Sequence, residues 1–506
     1  MSGQNYYISS FFWSTASKVL TAVVGFLTVP LLLGYYGKIE YGLLSIATAC
    51  NSYMALLDLG MNTGAVKFYS QWKAVGDTAR IYRVARTNIT FYMAIAAANI
   101  VLLLLIAFWG EGMFSVTHDQ FLQIRKCLWV IALFSIMSWV TTVFNQLLIA
   151  DGQIAYTMQV QCVQALLKAG SVVLVFMSNL SLTEYFFLIT AITAAAFLPY
   201  TWRCRRAGLI DSLKPSWCWS DFRVVLVFSL SIFALSVFQM TATQSRPILL
   251  GMFAPHGASA VADFRILEVV PQLIIMIGGT FSGIFLPQTS QLVAANNIKA
   301  MHDFAYKWTK HTTAIVSILC FPFILCAEEV LTAYVGTEYT HLSKWLVIWC
   351  LTVLVQMHTT PGNALVLTYG KTKLLVVVTA AACVCSMVLN IILCKRFDVG
   401  SAIIAYFLYV LFIIGLYYLH FYKRLLGLSR LRMLKCFILP VAEAAAVYAV
   451  VRLIPVSTET FGVINERLAN ITVCAIKSLL WLIPYTILLQ VTKVVDFKQL
   501  IKSIKQ

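Results

Sequence analysis

Charge is scarce in this chain. Only 11% of its 506 residues are Asp, Glu, Lys or Arg, against about 25% in soluble domains. The length alone would suit three or four soluble domains at about 150 residues each. Yet 60% of the residues are hydrophobic, with 32 Phe, 23 Tyr and 12 Trp among them. No soluble core of this size hides so much apolar surface, so the solvent must be lipid. Disorder, a collagen-like repeat and a secreted disulfide scaffold are excluded by the same numbers. Motifs for catalysis and metals are also missing. There is no Cys-x-x-Cys, and the 13 cysteines lie mostly inside apolar runs (Cys50, Cys127, Cys162, Cys320, Cys350, Cys383, Cys474). They read as small buried apolar residues. No G-x-x-x-x-G-K-[ST] motif is present, which disfavours ATP-driven transport by this chain alone, and His-Glu-x-x-His is absent. No catalytic residue and no metal site is therefore expected. Residues Met1 to Ser10 carry no Lys or Arg and Lys18 interrupts the first apolar stretch, so the start is not a cleavable signal peptide. The first helix is expected to stay and insert the chain.

What is present is a series of long apolar runs. A spanning helix needs about 20 mostly apolar residues. Fourteen candidates are found, at 10–33, 41–64, 87–109, 124–150, 156–178, 183–201, 223–250, 263–293, 310–332, 342–367, 374–394, 401–421, 435–454 and 470–492. The expected class is thus an all-α polytopic membrane protein. Fourteen is even, so both termini share a side. The net charge of +17 could suggest nucleic acid, but the basic residues cluster between apolar runs, as the positive-inside rule requires. With the N-terminus in the cytoplasm, 24 of the 37 Lys and Arg fall in inside loops, eight in outside segments and five within spans. Both termini are therefore expected inside, and no nucleic-acid partner is expected. The longest outside loop, 455–469, is too short to fold as a catalytic head.

The chain repeats itself. Pro30-Leu31-Leu32-Leu33-Gly34 ends the first run and Pro247-Ile248-Leu249-Leu250-Gly251 ends the seventh, 217 residues later. Thr141-Thr142-Val143-Phe144-Asn145 followed by Gly152 matches Thr359-Thr360-Pro361-Gly362-Asn363 followed by Gly370, at an offset of 218. Shared Thr, Asn and Gly argue against coincidence in an apolar alphabet. A duplicated unit of six helices keeps its orientation, so the two copies should be parallel repeats about an axis along the membrane normal. The expected organisation is an N-terminal six-helix lobe at 1–210, a C-terminal six-helix lobe at 211–430, and two additional helices with a cytoplasmic tail at 431–506. A central cavity between the lobes is expected.

Several runs carry polar residues at helical spacing, on one face each. The first has Ser14, Lys18, Thr21, Gly25 and Thr28; the second has Ser45, Thr48, Asn51, Asp58 and Asn62. The fifth has Thr157, Gln161, Gln164, Lys168 and Ser171. The seventh has Ser229, Ser236, Gln239, Thr243 and Arg246; the eighth has Arg265, Glu268, Gln272, Gly279 and Ser282; the tenth has Thr352, Gln356, Thr359 and Asn363. Small hydroxyl residues on such faces also serve as glue between helices. Charges cost about 2.5–3.5 kcal/mol or more at mid-bilayer and normally line a wet cavity or find a partner. Lys18, Lys168, Arg246, Arg265, Gln161, Gln164, Gln239, Asn145 and Asn363 are the candidate substrate-binding residues. Asp58 and Glu268 are candidate coupling or ion-pair residues. Lys18 and Asp58 lie at similar depth, roughly 12 and 9 Å from one face at 1.5 Å per residue, and are expected to pair. Arg246, Arg265 and Glu268 cluster near the other face. Lys168 sits near mid-membrane without an acid nearby, and faces a ligand or a distant partner such as Glu443. His358 lies off the polar face and is not expected to carry protons. Lys, Arg, Gln, Asn, Ser and Thr together suit an anionic, hydroxyl-rich ligand such as a sugar phosphate.

The N-terminal text also resembles a known family. Tyr35-Tyr36-Gly37-Lys38-Ile39-Glu40-Tyr41-Gly42-Leu43, followed by Leu57-Asp58-Leu59-Gly60-Met61, is similar to the opening of the polysaccharide or O-antigen flippases. Gly152-Gln153 and Gly370-Lys371 after the fourth and tenth runs agree. The superfamily also holds the multidrug-and-toxin-extrusion transporters and the lipid II flippases. The resemblance implies two six-helix lobes around a V-shaped cavity that alternate access. It implies an undecaprenyl-pyrophosphate-linked oligosaccharide (an O-antigen, lipopolysaccharide, capsule or exopolysaccharide unit) moved from the cytoplasmic to the periplasmic leaflet of a bacterial inner membrane. Glycosyltransferases and a polysaccharide polymerase are then the implied partners. No cofactor is implied; coupling to Na⁺ or H⁺ is plausible for the superfamily, and nothing in the sequence identifies the ion. The extra pair of helices is similar to the lipid II branch, but that branch usually carries Arg in the first helix where this chain has Lys18. Two other readings compete. A multidrug antiporter of the same fold should have an acidic lumen. A glycan polymerase or glycosyltransferase would need a large outside loop or an Asp-x-Asp site, and neither is present.

Overall fold

The computed structural model describes residues 3–58, 60–294, 297–369, 373–456, 466–492 and 494. Among them there are helices and turns and no strand. In chain order they are α1 Gly3–Tyr36, α2 Lys38–Met54, α3 Met61–Ala74, α4 Thr78–Trp109, α5 His118–Ala150, α6 Ile154–Ser178, α7 Leu182–Ala194, α8 Phe197–Arg206 and α9 Trp219–Phe253. They continue with α10 Gly257–Ala294, α11 Ile298–Leu325, α12 Ala327–Tyr334, α13 Ser343–Met357, α14 Thr360–Thr368, α15 Lys373–Phe397, α16 Val399–Leu416, α17 Arg430–Arg452 and α18 Glu466–Val491. Each of the fourteen expected spans falls on helix. Leu59, the Gly370–Lys371 pair, most of 455–469 and the tail from 495 lie outside the described residues.

Lipid explains the surface. Among the described residues, eleven helical segments are long and apolar enough to cross a membrane. Exposed apolar side chains recur at helical spacing, as Val163, Leu166, Leu167, Val173 and Met177 on α6 and Val377, Val384, Val388 and Ile392 on α15. A water-soluble fold would bury such stripes. The chain is an all-α polytopic membrane protein.

Four expected spans are interrupted, each for a local reason. The 41–64 run breaks into a single 3-10 turn, Ala55–Asp58, between α2 and α3. Gly60 there has φ 72°, a left-handed backbone that disfavours any side chain. A Cβ at Gly60 would also meet the Ser229 carbonyl oxygen at 2.7 Å. Asp58 then accepts from the Asn62 backbone N–H at 3.2 Å and restarts the helix. The 183–201 run divides into α7 and α8 just before Pro199, which has no N–H to continue the ladder. The 342–367 run divides where Pro361 opens α14. The 310–332 run ends at Leu325, and the short α12 follows. Pro30 and Pro247, in contrast, lie inside α1 and α9, equivalent places in the two copies of the repeated text. Helix starts are held by side chains. Thr117 with Gln120 and Ser181 with Glu184 form reciprocal capping boxes on α5 and α7.

Contacts divide the chain into two compact units. The first comprises Met1–Ala262 with Leu393–Val399; the second comprises Asp263–Ile392 with Gly400–Gln506. The short segment joins the first unit through His256, whose Nδ1 lies 2.8 Å from Asp398. In the first unit α4 and α5 pack side by side, and α1 lies along α6. Its core gathers Tyr69, Tyr92, Phe144, Tyr200 and Phe222. The segment joining α8 to α9 is fastened to the start of α4. Tyr82 donates to the Gly208 carbonyl at 2.8 Å and Thr90 to the Ser216 carbonyl at 2.8 Å. Arg80 and Arg83 both reach Asp221 at 3.0 Å. In the second unit α11 packs on α13, α17 and α18, and a further core gathers Phe285, Phe304, Tyr417, Phe421 and Tyr422.

Candidate functional site

The α1–α6 seam holds four of the expected site residues. Ser17 of α1 donates to Gln161 of α6 at 3.4 Å. Farther along, Tyr35 donates to Asn179 at 3.1 Å and Tyr36 to the Leu180 carbonyl at 2.9 Å. Lys18 follows Ser17 and is exposed; Lys168 stands two turns along α6 from Gln161 and is half-buried. Neither lysine makes an ion pair among the described residues. Gln164 turns away, donating to the Ile192 and Thr193 carbonyls of α7 at 3.1 and 3.0 Å. Its amide hydrogens act as glue between helices.

Lys18 and Asp58 do not pair, contrary to the expectation. The break after α2 aims Asp58 at α4 instead, where the Tyr92 hydroxyl donates to it at 2.5 Å. A buried network continues from there. Gln146 of α5 donates to the Tyr92 oxygen at 2.8 Å; Asn88 of α4 donates to Gln146 at 3.0 Å and to Tyr69 of α3 at 3.1 Å. Tyr69, Asn88, Tyr92 and Gln146 are all 0–1% exposed. The chain of bonds ties the 55–58 turn, α3, α4 and α5 together, and sequence reading missed it. Asn88 and Tyr92, four apart in an apolar helix, were the available signal.

The remaining expected residues are distributed along both units. In the first, Asn145 is half-buried beside Gln146, and its Oδ1 is buried without a hydrogen-bond partner among the described residues. Gln239 on α9 is exposed. Arg246 is 4% exposed, and its Nε donates to the Ala242 carbonyl at 3.1 Å. In the second, Arg265 and Glu268 pair one turn apart at 2.5 Å, and Gln272 donates to Glu268 at 3.4 Å. Asn363 accepts from Tyr417 at 2.7 Å. His358 is buried, with Nδ1 2.5 Å from the Val355 carbonyl and Nε2 3.2 Å from the Tyr418 hydroxyl. Ser236, Gly279 and Ser282 are not described at the side-chain level.

Broken spans, helices with interior prolines and polar groups at membrane depth are features of secondary transporters. No family model matches the chain, and no curated protein matches its sequence. Solved structures do match. The chain is similar to the lipid II flippase MurJ in its inward closed conformation, at 15% identity and a TM-score of 0.69, covering 96% of this chain and 99% of that one. It is similar to an inward-facing multidrug resistance MATE family transporter of the MOP superfamily, at 12% identity and a TM-score of 0.66, covering 84% and 95%. A MOP superfamily transporter from Pyrococcus furiosus aligns at 11% identity and a TM-score of 0.53, covering 85% and 96%. The likeness is one of fold: the chain folds as these transporter structures do, as the opening motifs implied.

Proposed function

We propose that this chain is a flippase for an undecaprenyl-pyrophosphate-linked oligosaccharide, a repeat unit of an O-antigen, capsule or exopolysaccharide. It would move the headgroup from the cytoplasmic to the periplasmic leaflet of a bacterial inner membrane by alternating access. Both termini lie in the cytoplasm on this reading, and the duplicated six-helix text corresponds to two lobes that rock about the site. One observation carries the reading. Three of the acids in the spans have partners, Glu268 in Arg265, Glu329 in Lys477 and Asp58 in Tyr92. Lys18 and Lys168, on adjacent helices, have no ion-pair partner among the described residues. Cations held in a membrane without an acid fit an anionic ligand, and pyrophosphate supplies that charge. Gln161 and Asn145 add groups that bond sugar hydroxyls, and the polyprenyl tail stays in lipid. Glycosyltransferases would supply such a substrate and a polymerase would consume it.

A multidrug antiporter of the same fold would instead offer acids to cationic drugs. The test is reconstitution into liposomes carrying a polyprenyl-pyrophosphate oligosaccharide, with lectin accessibility reporting the leaflet. Protein-dependent translocation of the glycolipid is expected. Efflux of cationic dyes with no glycolipid movement would overturn the proposal.

A further inference from the structure

Glu443 lies in the middle of α17 and is 8% exposed. Both of its carboxyl oxygens are buried and neither has a hydrogen-bond partner among the described residues. An isolated carboxylate in such a setting is costly enough that the group neutralises or finds a cation. Its surroundings come from two other helices. On α18, Tyr485 lies within electrostatic reach of Glu443 and donates to the Pro440 carbonyl at 3.2 Å. Trp481 donates to the Ala444 carbonyl at 3.1 Å and stacks on Phe321 of α11 at 5.3 Å. Ser317 of α11 sits against Tyr485.

Other titratable groups stand farther off. Lys310 of α11 is felt at Cys436, seven residues before Glu443. The His358 ring lies tilted against Phe437, with centroids 4.2 Å apart. Toward the other end of α18, Lys477 pairs with Glu329 of α12 at 2.5 Å. That pair borders a cavity of about 360 Å³ lined also by Glu328, Thr332, Thr340 and Asn470. Lys477 is four residues from Trp481, about 6 Å along the helix. A polar cavity thus ends about one turn from the level of Glu443.

We propose that Glu443 is a proton-binding site, loaded and emptied through the cavity bordered by Glu329 and Lys477. The proton is preferred over a metal cation on geometry. The two α17 carbonyls flanking Glu443 already accept from Tyr485 and Trp481, so they do not offer the cage of oxygens a metal ion requires. Protonation needs no cage and removes the buried charge. The site belongs to the accessory pair α17–α18, outside the duplicated text, and stands whichever substrate the protein carries.

The test uses the full chain in liposomes with dicyclohexylcarbodiimide, which adds a protonated carboxyl group, with its proton, across a C=N bond. Mass spectrometry of peptides locates the adduct. Modification of Glu443 is expected, stronger at acidic than at alkaline pH and unchanged by Na⁺ at fixed pH. A Glu443→Gln variant should lose only that adduct and keep those on Glu328 and Glu329. Three results would overturn the proposal: no adduct at Glu443 at any pH while Glu328 or Glu329 reacts, an adduct independent of pH, or protection by Na⁺. The wild-type measurement decides the matter even if the variant fails to fold.

Discussion

The Tyr92 hydroxyl donates to Asp58 at 2.5 Å across the break between α2 and α3. The bond connects a turn that Gly60 makes possible to a tyrosine that is fully buried. Tyr92 also accepts from Gln146, so the phenol is both donor and acceptor in one network. Polar groups buried in this way are costly to orphan, which makes the network a determinant of where α3 restarts.

Removing the hydroxyl tests this. Tyr92→Phe leaves Asp58 and Gln146 short of a partner and should cost about 1–3 kcal/mol, read as a lower melting temperature of the purified protein in detergent. Asp58→Asn should cost less, because its amide oxygen still accepts from Tyr92. The double variant should be less damaged than the two losses added. Additive losses would place the two side chains in independent roles.

Gly60 offers a second test. Alanine there adopts a left-handed conformation at about 1–2 kcal/mol, and its Cβ lies 2.7 Å from the Ser229 oxygen. Gly60→Ala should therefore lower stability more than Gly25→Ala, where no atom lies within 4 Å of the added carbon. Equal melting temperatures for the two variants would show that the turn relaxes freely.

Helices were legible in the sequence because lipid imposes one rule on length and polarity. Among the described residues, each of the fourteen runs falls mostly on helix. Interruptions were less legible: the 41–64 run reads as one apolar stretch, and only Asp58 and Gly60 together break it. Partners across helices were the least legible. Depth arithmetic placed Asp58 level with Lys18, but a depth does not say which way a side chain points. Arg265 and Glu268 were grouped correctly because three residues separate them on one helix. Glu443 was visible as a charge in an apolar run, while its lack of a partner depends on α11 and α18.

Asp221 receives both Arg80 and Arg83, beside the segment that connects α8 with α9. Asp221→Ala should loosen this fastening and expose the segment to trypsin at Lys214 while the helices persist by circular dichroism. The companion variant Trp217→Ala removes a ring stacked on Trp219 at 6.0 Å and should have the same direction of effect. Unchanged digestion rates in Asp221→Ala would assign the fastening to the other ties of the segment, those of Tyr82, Arg86 and Thr90.

Lys168 is the sharpest test of the site. It is half-buried on α6, its own carbonyl accepts from Ser171 at 2.7 Å, and its ammonium makes no ion pair among the described residues. If the ammonium meets a pyrophosphate, the charge is what matters. Lys168→Arg should then retain much of the translocation, Lys168→Gln should lose most of it, and Lys168→Glu should abolish it, all at normal abundance in the membrane. A structural role predicts a different pattern, in which abundance falls in step with transport. A cysteine at position 168, in a background without the native cysteines, should react with a small water-soluble thiol reagent and be protected by the glycolipid. Full transport by the Glu variant, or a cysteine that never reacts, would remove Lys168 from the path of the headgroup and leave Lys18 as the cation to examine next.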